Sequence, residues 1–208
     1  MKNNEFIFLG PPGSGKGTQA KTLAVLLGVS HISTGDIFRD QISKQTELGI
    51  KAKAVLDAGN LMPDDITNSL ISARLKQPDA INGFILDGYP RNLAQAEFLF
   101  TLKPETKVIN IELSDKEVLC RVAGRRLSRS TGAIYHLEFN LPPPDLPLDD
   151  LIQRPDETET VVQERLSIYY QQIEPLKLFY QQKGKLLTVD GSPSIIKVTE
   201  SIVKLINV

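Results

Sequence analysis

Strands and helices alternate along almost the whole of this chain, which predicts an α/β layer structure with a mainly parallel sheet. Two observations carry that expectation. The first is a glycine-rich stretch from Gly10 to Thr18, Gly-Pro-Pro-Gly-Ser-Gly-Lys-Gly-Thr, between the apolar run Phe6-Ile7-Phe8-Leu9 and a helix-like run from Lys16 to Leu27. Strand, glycine loop, helix is the arrangement of a phosphate-binding loop. The second is the recurrence of short apolar runs, Gly83 to Gly88, Val108 to Leu113 and Leu186 to Val189, each separated from the next by helical patterning.

The loop has suitable chemistry. Gly10, Gly13, Gly15 and Gly17 open backbone conformations closed to residues with a Cβ. Successive N–H groups then turn inward as an anion nest, the helix behind adds unpaired N–H groups and its positive dipole end, and Lys16 brings a mobile charge for the outer phosphates. The common pattern places Ser or Thr directly after the lysine; here Gly17 intervenes and the hydroxyl comes at Thr18.

Past this helix, Gly28 is a C′ stop, and Val29 to Ile32 forms a short strand. Ser33-Thr34-Gly35-Asp36 has turn and N-cap chemistry. Two helical stretches follow between Asp36 and Ala58, the second with Leu48, Ala52, Val55 and Leu56 at helical spacing. Pro63 opens a further helix to about Lys76. Gly83 to Gly88 is a buried strand ending in the carboxylate of Asp87. Asn92 caps a helix from Leu93 to Leu102, and Ser114 with Glu117 forms a capping box for a helix running to about Leu127. Cys120, in the apolar pattern of that helix, is expected in the core. From Ser128 to Pro155 the chain changes character, with five prolines between Pro142 and Pro155; this is an irregular insertion with a small hairpin around Ala133 to Phe139. Acidic residues then open a long helical stretch, which Pro175 is expected to restart as a new helix. Ile195, Val198, Ile202, Leu205 and Ile206 form one face of a closing helix.

Composition narrows the function classes. Among 208 residues, 24 Lys and Arg face 25 Asp and Glu, so no basic excess points to general nucleic-acid binding. Any anion site must be a local concentration of cations. The single Cys120 forms neither an internal disulfide nor a multi-cysteine zinc site. No segment reads as a signal peptide or membrane span, so a soluble, reducing compartment is expected. His31 and His136 have no Ser or Cys partner suggesting a triad.

Four separated motifs lie in order along the chain: Gly10 to Thr18; Ser33-Thr34-Gly35-Asp36-x-x-Arg39; Asp87-Gly88-Tyr89-Pro90-Arg91; and Gly124-Arg125-Arg126 followed by Tyr135-His136-x-x-Phe139-Asn140. In order and spacing they resemble adenylate kinase in its long-lid form, within the nucleoside monophosphate kinases, over nearly the whole chain. The resemblance implies a P-loop NTPase three-layer core with a parallel five-stranded sheet (residues 1–32, 63–123 and 162–208), a helical monophosphate-binding insertion (33–62) and a lid (124–161). It implies reversible phosphoryl transfer from Mg-ATP to AMP giving two ADP, by a cytoplasmic monomer without nucleic-acid or membrane partners. UMP/CMP kinase is the nearest alternative, and a nucleotide-binding regulatory module without turnover is another.

Residue by residue, the resemblance places ATP at Gly13, Ser14, Gly15, Lys16, Gly17, Thr18, Arg121, Arg125, Ile134, Tyr135 and Pro193. It places AMP at Thr34, Arg39, Asn60, Leu61, Met62, Gly88, Tyr89, Pro90, Arg91, Gln95, Arg154 and Arg165. Lys16, Arg91, Arg125, Arg154 and Arg165 surround the transferring group, and Asp87 orients a water on Mg2+, as against merely capping a turn. The family also carries the Gly17-Thr18 variant. Where some members hold the lid with four cysteines and zinc, this chain has Ser128 and Thr131, with the second pair near Pro144 and Pro147. No structural zinc is expected, the polar network of zinc-free lids looks incomplete, and the prolines are expected to stiffen the lid instead.

Overall fold

The computed structural model of the chain describes residues 4–57, 61–153 and 158–206. Its centre is a five-stranded, all-parallel sheet of β1 (Glu5–Leu9), β2 (Ser30–Ser33), β3 (Phe84–Asp87), β4 (Lys107–Glu112) and β8 (Leu186–Asp190), in the order β2-β3-β1-β4-β8. Parallel strands need crossovers, and the connections between them carry α1 (Lys16–Leu27), α4 (Asp64–Leu75), α5 (Leu93–Leu102), α6 (Asp115–Gly124) and α7 (Glu159–Gln182), while α8 (Ile195–Ile206) follows the last strand.

The period-two alternation of strand side chains divides the core into two layers. Ile7 and Leu9 of β1 pack with Phe84 and Leu86 of β3 against Ile71, Leu99, Ile173 and Leu176 of α4, α5 and α7. Phe6 and Phe8, with Ile85, Ile109 and Ile111, face Ala20 and Leu23 of α1 and Val198 and Ile202 of α8. A sheet covered on both faces explains why these strands read as unbroken apolar runs.

Two insertions leave this core. The first contains α2 (Thr34–Ser43), capped by the Ser33 hydroxyl accepting from the Asp36 N–H, and α3 (Glu47–Asp57). Phe38, Ala52 and Met62 form its own small apolar cluster. The second contains a three-stranded antiparallel sheet of β5 (Arg125–Ser128), β6 (Ile134–His136) and β7 (Leu151–Ile152), with β5 central.

Three expectations are corrected. The helix opened by Ser114 stops at Gly124 instead of about Leu127, because Arg125, Arg126 and Leu127 pair with His136, Tyr135 and Ile134. Pro175 does not start a new helix; α7 runs through it. Proline removes one helical hydrogen bond, but Leu166, Ile173, Leu176 and Tyr180 are buried on both sides of it, and that packing holds the helix together. Cys120 is exposed and is not a core residue; Val118 and Val122 take the buried face of α6.

Candidate active site

The site is built at the carboxyl ends of the parallel strands, where the strand order reverses around β1 and open α/β sheets present a crevice. Gly10, Gly13 and Gly15 have φ of 154°, 78° and 86°. Gly15 is the N-cap of α1 and no side chain caps that helix, so its first-turn N–H groups face the loop unclaimed by a cap. Gly17 belongs to α1 and has no positive φ. Its missing Cβ serves another purpose: a Cβ there would lie 3.1 Å from Asp87 Oδ2. The glycine that displaces the usual hydroxyl therefore gives the carboxylate access to the loop. Ser14 is buried, and Lys16 Nζ donates to the Pro11 carbonyl at 3.2 Å.

Electrostatics tie four distant cations together. Burial pulls the Lys16 ammonium down to about 8, opposed by Asp87 and reinforced by Arg165, Arg91 and Arg125. The Arg91 guanidinium is likewise lowered, first by its packed surroundings and then by Arg165 and Arg39, with Asp87 acting against them. Lys16 comes from α1, Arg91 follows β3, Arg125 opens β5 and Arg165 lies on α7. Like charges converge on one another only where something anionic repays the repulsion. Asp87 sits level with Phe8 of β1 and Ser33 of β2. His31 Nε2 is buried 3.9 Å from Asp87 Oδ2, too far for a hydrogen bond, and burial lowers the imidazole pKa against the pull of Asp87.

On the side of the first insertion, the Thr34 hydroxyl donates to the Gly88 carbonyl at 2.9 Å, and Arg91 Nε donates to the same oxygen at 2.7 Å. Gly88 has φ 79°, and a Cβ there would meet Thr34 Oγ1 at 2.9 Å and Arg91 Nη2 at 3.2 Å, so this position requires glycine. The Tyr89–Pro90 peptide is cis. Tyr89 is buried and donates to Asn68 Oδ1 at 2.6 Å. Gln95 is 2% exposed. Arg39 pairs with Asp36. Leu61 and the buried Met62 precede α4. Asn60 and Arg154, two expected site residues, lie outside the described residues.

On the other side, Arg121 Nη2 donates to the carbonyls of Gly191 (2.8 Å) and Ser192 (3.1 Å), fixing the turn that precedes Pro193. Ile134 and Tyr135 lie on β6, where Asn140 Nδ2 holds the Ile134 carbonyl at 2.9 Å. His136 is structural: Nδ1 accepts from the N–H groups of Glu138 (3.0 Å) and Phe139 (3.1 Å), and the ring stacks on Phe139 at 4.5 Å. Against the expectation drawn from its prolines, the second insertion does carry a polar network. Ser128 Oγ donates to Asp150 Oδ2 and accepts from the Thr131 N–H (3.1 Å) and hydroxyl (2.8 Å), while the Ser130 N–H reaches Asp150 Oδ1 at 2.8 Å. The second half of the network comes from Asp150, beyond Pro144 and Pro147, because a 3-10 turn at Leu148–Asp150 returns the chain to β5.

Sequence reading missed Asp150 and Asp64. Asp64 accepts from Gln95 Nε2 (2.7 Å) and from Asn92 Nδ2 (2.9 and 3.1 Å). Its only sequence signal is an acidic residue in a first helical turn, which dipole stabilisation alone explains.

A glycine loop at the carboxyl edge of a parallel sheet, opening a helix and set among cations from separate parts of the chain, defines a P-loop nucleotide-binding protein. Comparison with known proteins refines this. The family model for adenylate kinase matches residues 8–185. An adenylate kinase of Fusobacterium nucleatum subsp. nucleatum is 43% identical over 211 residues, covering 99% of this chain and all of the relative. One from Clostridium perfringens is 46% identical over 97% of this chain and 98% of its own, and one from Archaeoglobus fulgidus is 46% identical over 91% of each. The chain belongs to the adenylate kinase family.

Proposed function

We propose that the chain binds Mg-ATP and AMP on either side of Lys16 and transfers the terminal phosphoryl group between them, reversibly, giving two ADP and balancing the adenine nucleotides. Family membership gives the reaction; the field that Arg91, Arg125 and Arg165 exert on the loop lysine, Lys16, is the observation that carries the assignment of residues.

The acceptor phosphate is already an anionic nucleophile, so no general base is needed. Catalysis must cancel repulsion between two polyphosphates, align them and exclude water. The backbone from Gly13 to Thr18 cradles the donor phosphates, with Lys16 on the outer ones. Arg39 and Arg91 hold the acceptor phosphate. Arg125, Arg165 and, outside the described residues, Arg154 stabilise the charge on the group in transit; guanidinium forks suit this. Thr34, Gly88, Tyr89, Pro90 and Gln95, with Leu61, Met62 and the undescribed Asn60, form the acceptor pocket. Arg121, Ile134, Tyr135 and the main chain at Pro193 receive the donor base. The insertion at 33–62 and the lid at 124–161 close over the two nucleotides, a gating motion of which adenylate kinase lids are a standard example.

The family uses Mg2+ with ATP. Among the described residues no three His, Cys, Asp or Glu side chains gather into a metal cage, whereas Asp87 offers one hard carboxylate beside the loop. That donor set fits an ion that keeps its waters and takes its other ligands from phosphate. Asp87 would hold such an ion through its waters, and the ion would supply charge neutralisation to the phosphates. We assign the protein to the cytoplasm as a monomer.

A coupled assay with AMP, UMP, CMP and GMP as acceptors tests the reading, AMP being strongly preferred. Lys16→Met should lower kcat by about 10^3-fold or more with the thermal midpoint unchanged; near-normal turnover would refute the loop assignment.

A further inference from the structure

Gln95 has unusually constrained surroundings for a residue that is to meet a ligand. Its side-chain oxygen accepts from the Arg91 N–H at 2.8 Å. Its Nε2 donates to Asp64 Oδ1 at 2.7 Å. The Asp64 carboxylate is held in turn by Asn92 Nδ2 through both oxygens, at 2.9 and 3.1 Å, and Asn92 Oδ1 accepts the Gln95 N–H at 2.9 Å as the cap of α5.

The two anchors differ in chemical sense. A backbone N–H only donates, and an ionised carboxylate only accepts. Rotating the Gln95 amide by 180° would set NH2 against N–H and oxygen against carboxylate, leaving polar groups unpaired at a buried position. The amide therefore has one orientation, set by its hydrogen-bond partners. Each anchor uses one of the two hydrogen-bonding capacities at its atom. One oxygen lone pair and one N–H remain, in a fixed order.

We propose that Asp64 is a specificity-determining positioning residue: as the carboxylate anchor that, with the Arg91 N–H, locks the sense of the Gln95 amide, it makes the acceptor site read adenine and reject 6-oxopurines. The proposal rests on the reading of Gln95 as an acceptor-base contact. Adenine presents an acceptor at N1 beside the donor N6-H2, which a Gln amide pairs with both its groups. Hypoxanthine presents the reverse, a donor at N1 beside the acceptor O6, and matches only the inverted amide. An amide free to invert would serve both bases. A site whose polar groups are fixed rejects the wrong pattern because its buried groups are then left unpaired.

The test is the ratio of kcat/KM for AMP to that for inosine 5′-monophosphate, with ATP as donor. A ratio between two acceptors on one preparation is independent of the fraction folded. In D64A it should fall by about tenfold or more, with the KM for ATP unchanged. D64N keeps an oxygen acceptor and should restore most of the ratio. D65N removes a charge from the same helical turn without touching Gln95 and should leave the ratio at the wild-type value, separating amide locking from the helix dipole. Equal losses for both acceptors in D64A, an unchanged ratio, or D64N falling as far as D64A would overturn the proposal, as would a D65N as permissive as D64A. Q95L separates the two levels. If Q95L leaves the ratio intact, the acceptor-base reading itself fails. If Q95L lowers it and D64A does not, only the role of Asp64 fails.

Discussion

The two sheets of this molecule are held by different forces. In the core, Ile7, Phe84, Ile85, Leu86 and Ile109 are fully buried and both faces are covered by helices. In the lid, the only fully shielded side chain among the described residues of β5, β6 and β7 is a serine, Ser128, and it is the hub of the hydrogen bonds to Asp150, Ser130 and Thr131. Apolar burial is additive and non-directional. A polar cluster is all-or-none, because one missing partner strands the others. The core should therefore resist unfolding as a unit, while the lid opens as a separate, lower-energy element.

The comparison breaks most sharply by truncating one residue on each side. Ile85→Ala should cost about 2–5 kcal/mol of global stability, read as a lower denaturation midpoint. Ser128→Ala should leave that midpoint nearly unmoved while hydrogen exchange rises across residues 125–136. A global loss in Ser128→Ala equal to that in Ile85→Ala would show that lid and core unfold together. Acid adds a second route into the lid. The Ser128 hydrogen bond, first among several, holds the Asp150 carboxyl below the ordinary carboxylate range. A carboxylate with a depressed folded pKa contributes stability above its unfolded pKa and loses it as pH falls through the folded one. Lid exchange should thus rise below about pH 4 before the core melts.

This contrast also decides what was legible in the sequence. Core strands announce themselves through apolar runs, and α2, α5 and α6 through Ser33, Asn92 and the Ser114–Glu117 box, each of which caps as its position implies. The phosphate loop was readable because its chemistry is contiguous. The lid network was not, since Ser128 and Asp150 are 22 residues apart and only the return of β7 to β5 joins them. Pro175 misled because a local rule yielded to burial of Ile173 and Leu176. Cys120 misled because the apolar stripe of α6 is narrow, Val118 and Val122 filling it. Asp64 was invisible as a site residue because its partners, Asn92 and Gln95, lie on another helix.

A smaller effect tests whether the two regions communicate through charge. The Lys16 ammonium titrates near 8, pulled down chiefly by burial and, among other cations, by Arg125 at the start of the lid. Only the protonated form attracts phosphate. Affinity of the free enzyme for ATP should therefore hold below pH 8 and fall above it by up to about tenfold per pH unit. Bound phosphate favours the charged form, so binding above pH 8 should take up a proton. Calorimetric titration in buffers of different ionisation heat measures this directly. In Arg125→Ala the midpoint should move upward, because one repulsive neighbour is gone; a midpoint that stays put would mean that the lid does not reach the loop electrostatically in the free protein.

The smallest effect concerns the prolines that set the lid apart in composition. Pro147 precedes the 3-10 turn at Leu148–Asp150 with φ −59°, close to the value its ring enforces, and its carbonyl accepts the Asp150 N–H at 3.1 Å. The ring therefore adds no native strain and limits the conformations open to the detached loop. Pro147→Ala should weaken the lid by about 0.4–1 kcal/mol through the unfolded state alone, with Ser128, Asp150 and every hydrogen bond between them intact. Exchange at the Asp150 and Ser130 amides should rise by a few-fold while that of β3 does not change. If those amides are no less protected, the serine–aspartate network carries the lid by itself and its prolines add nothing.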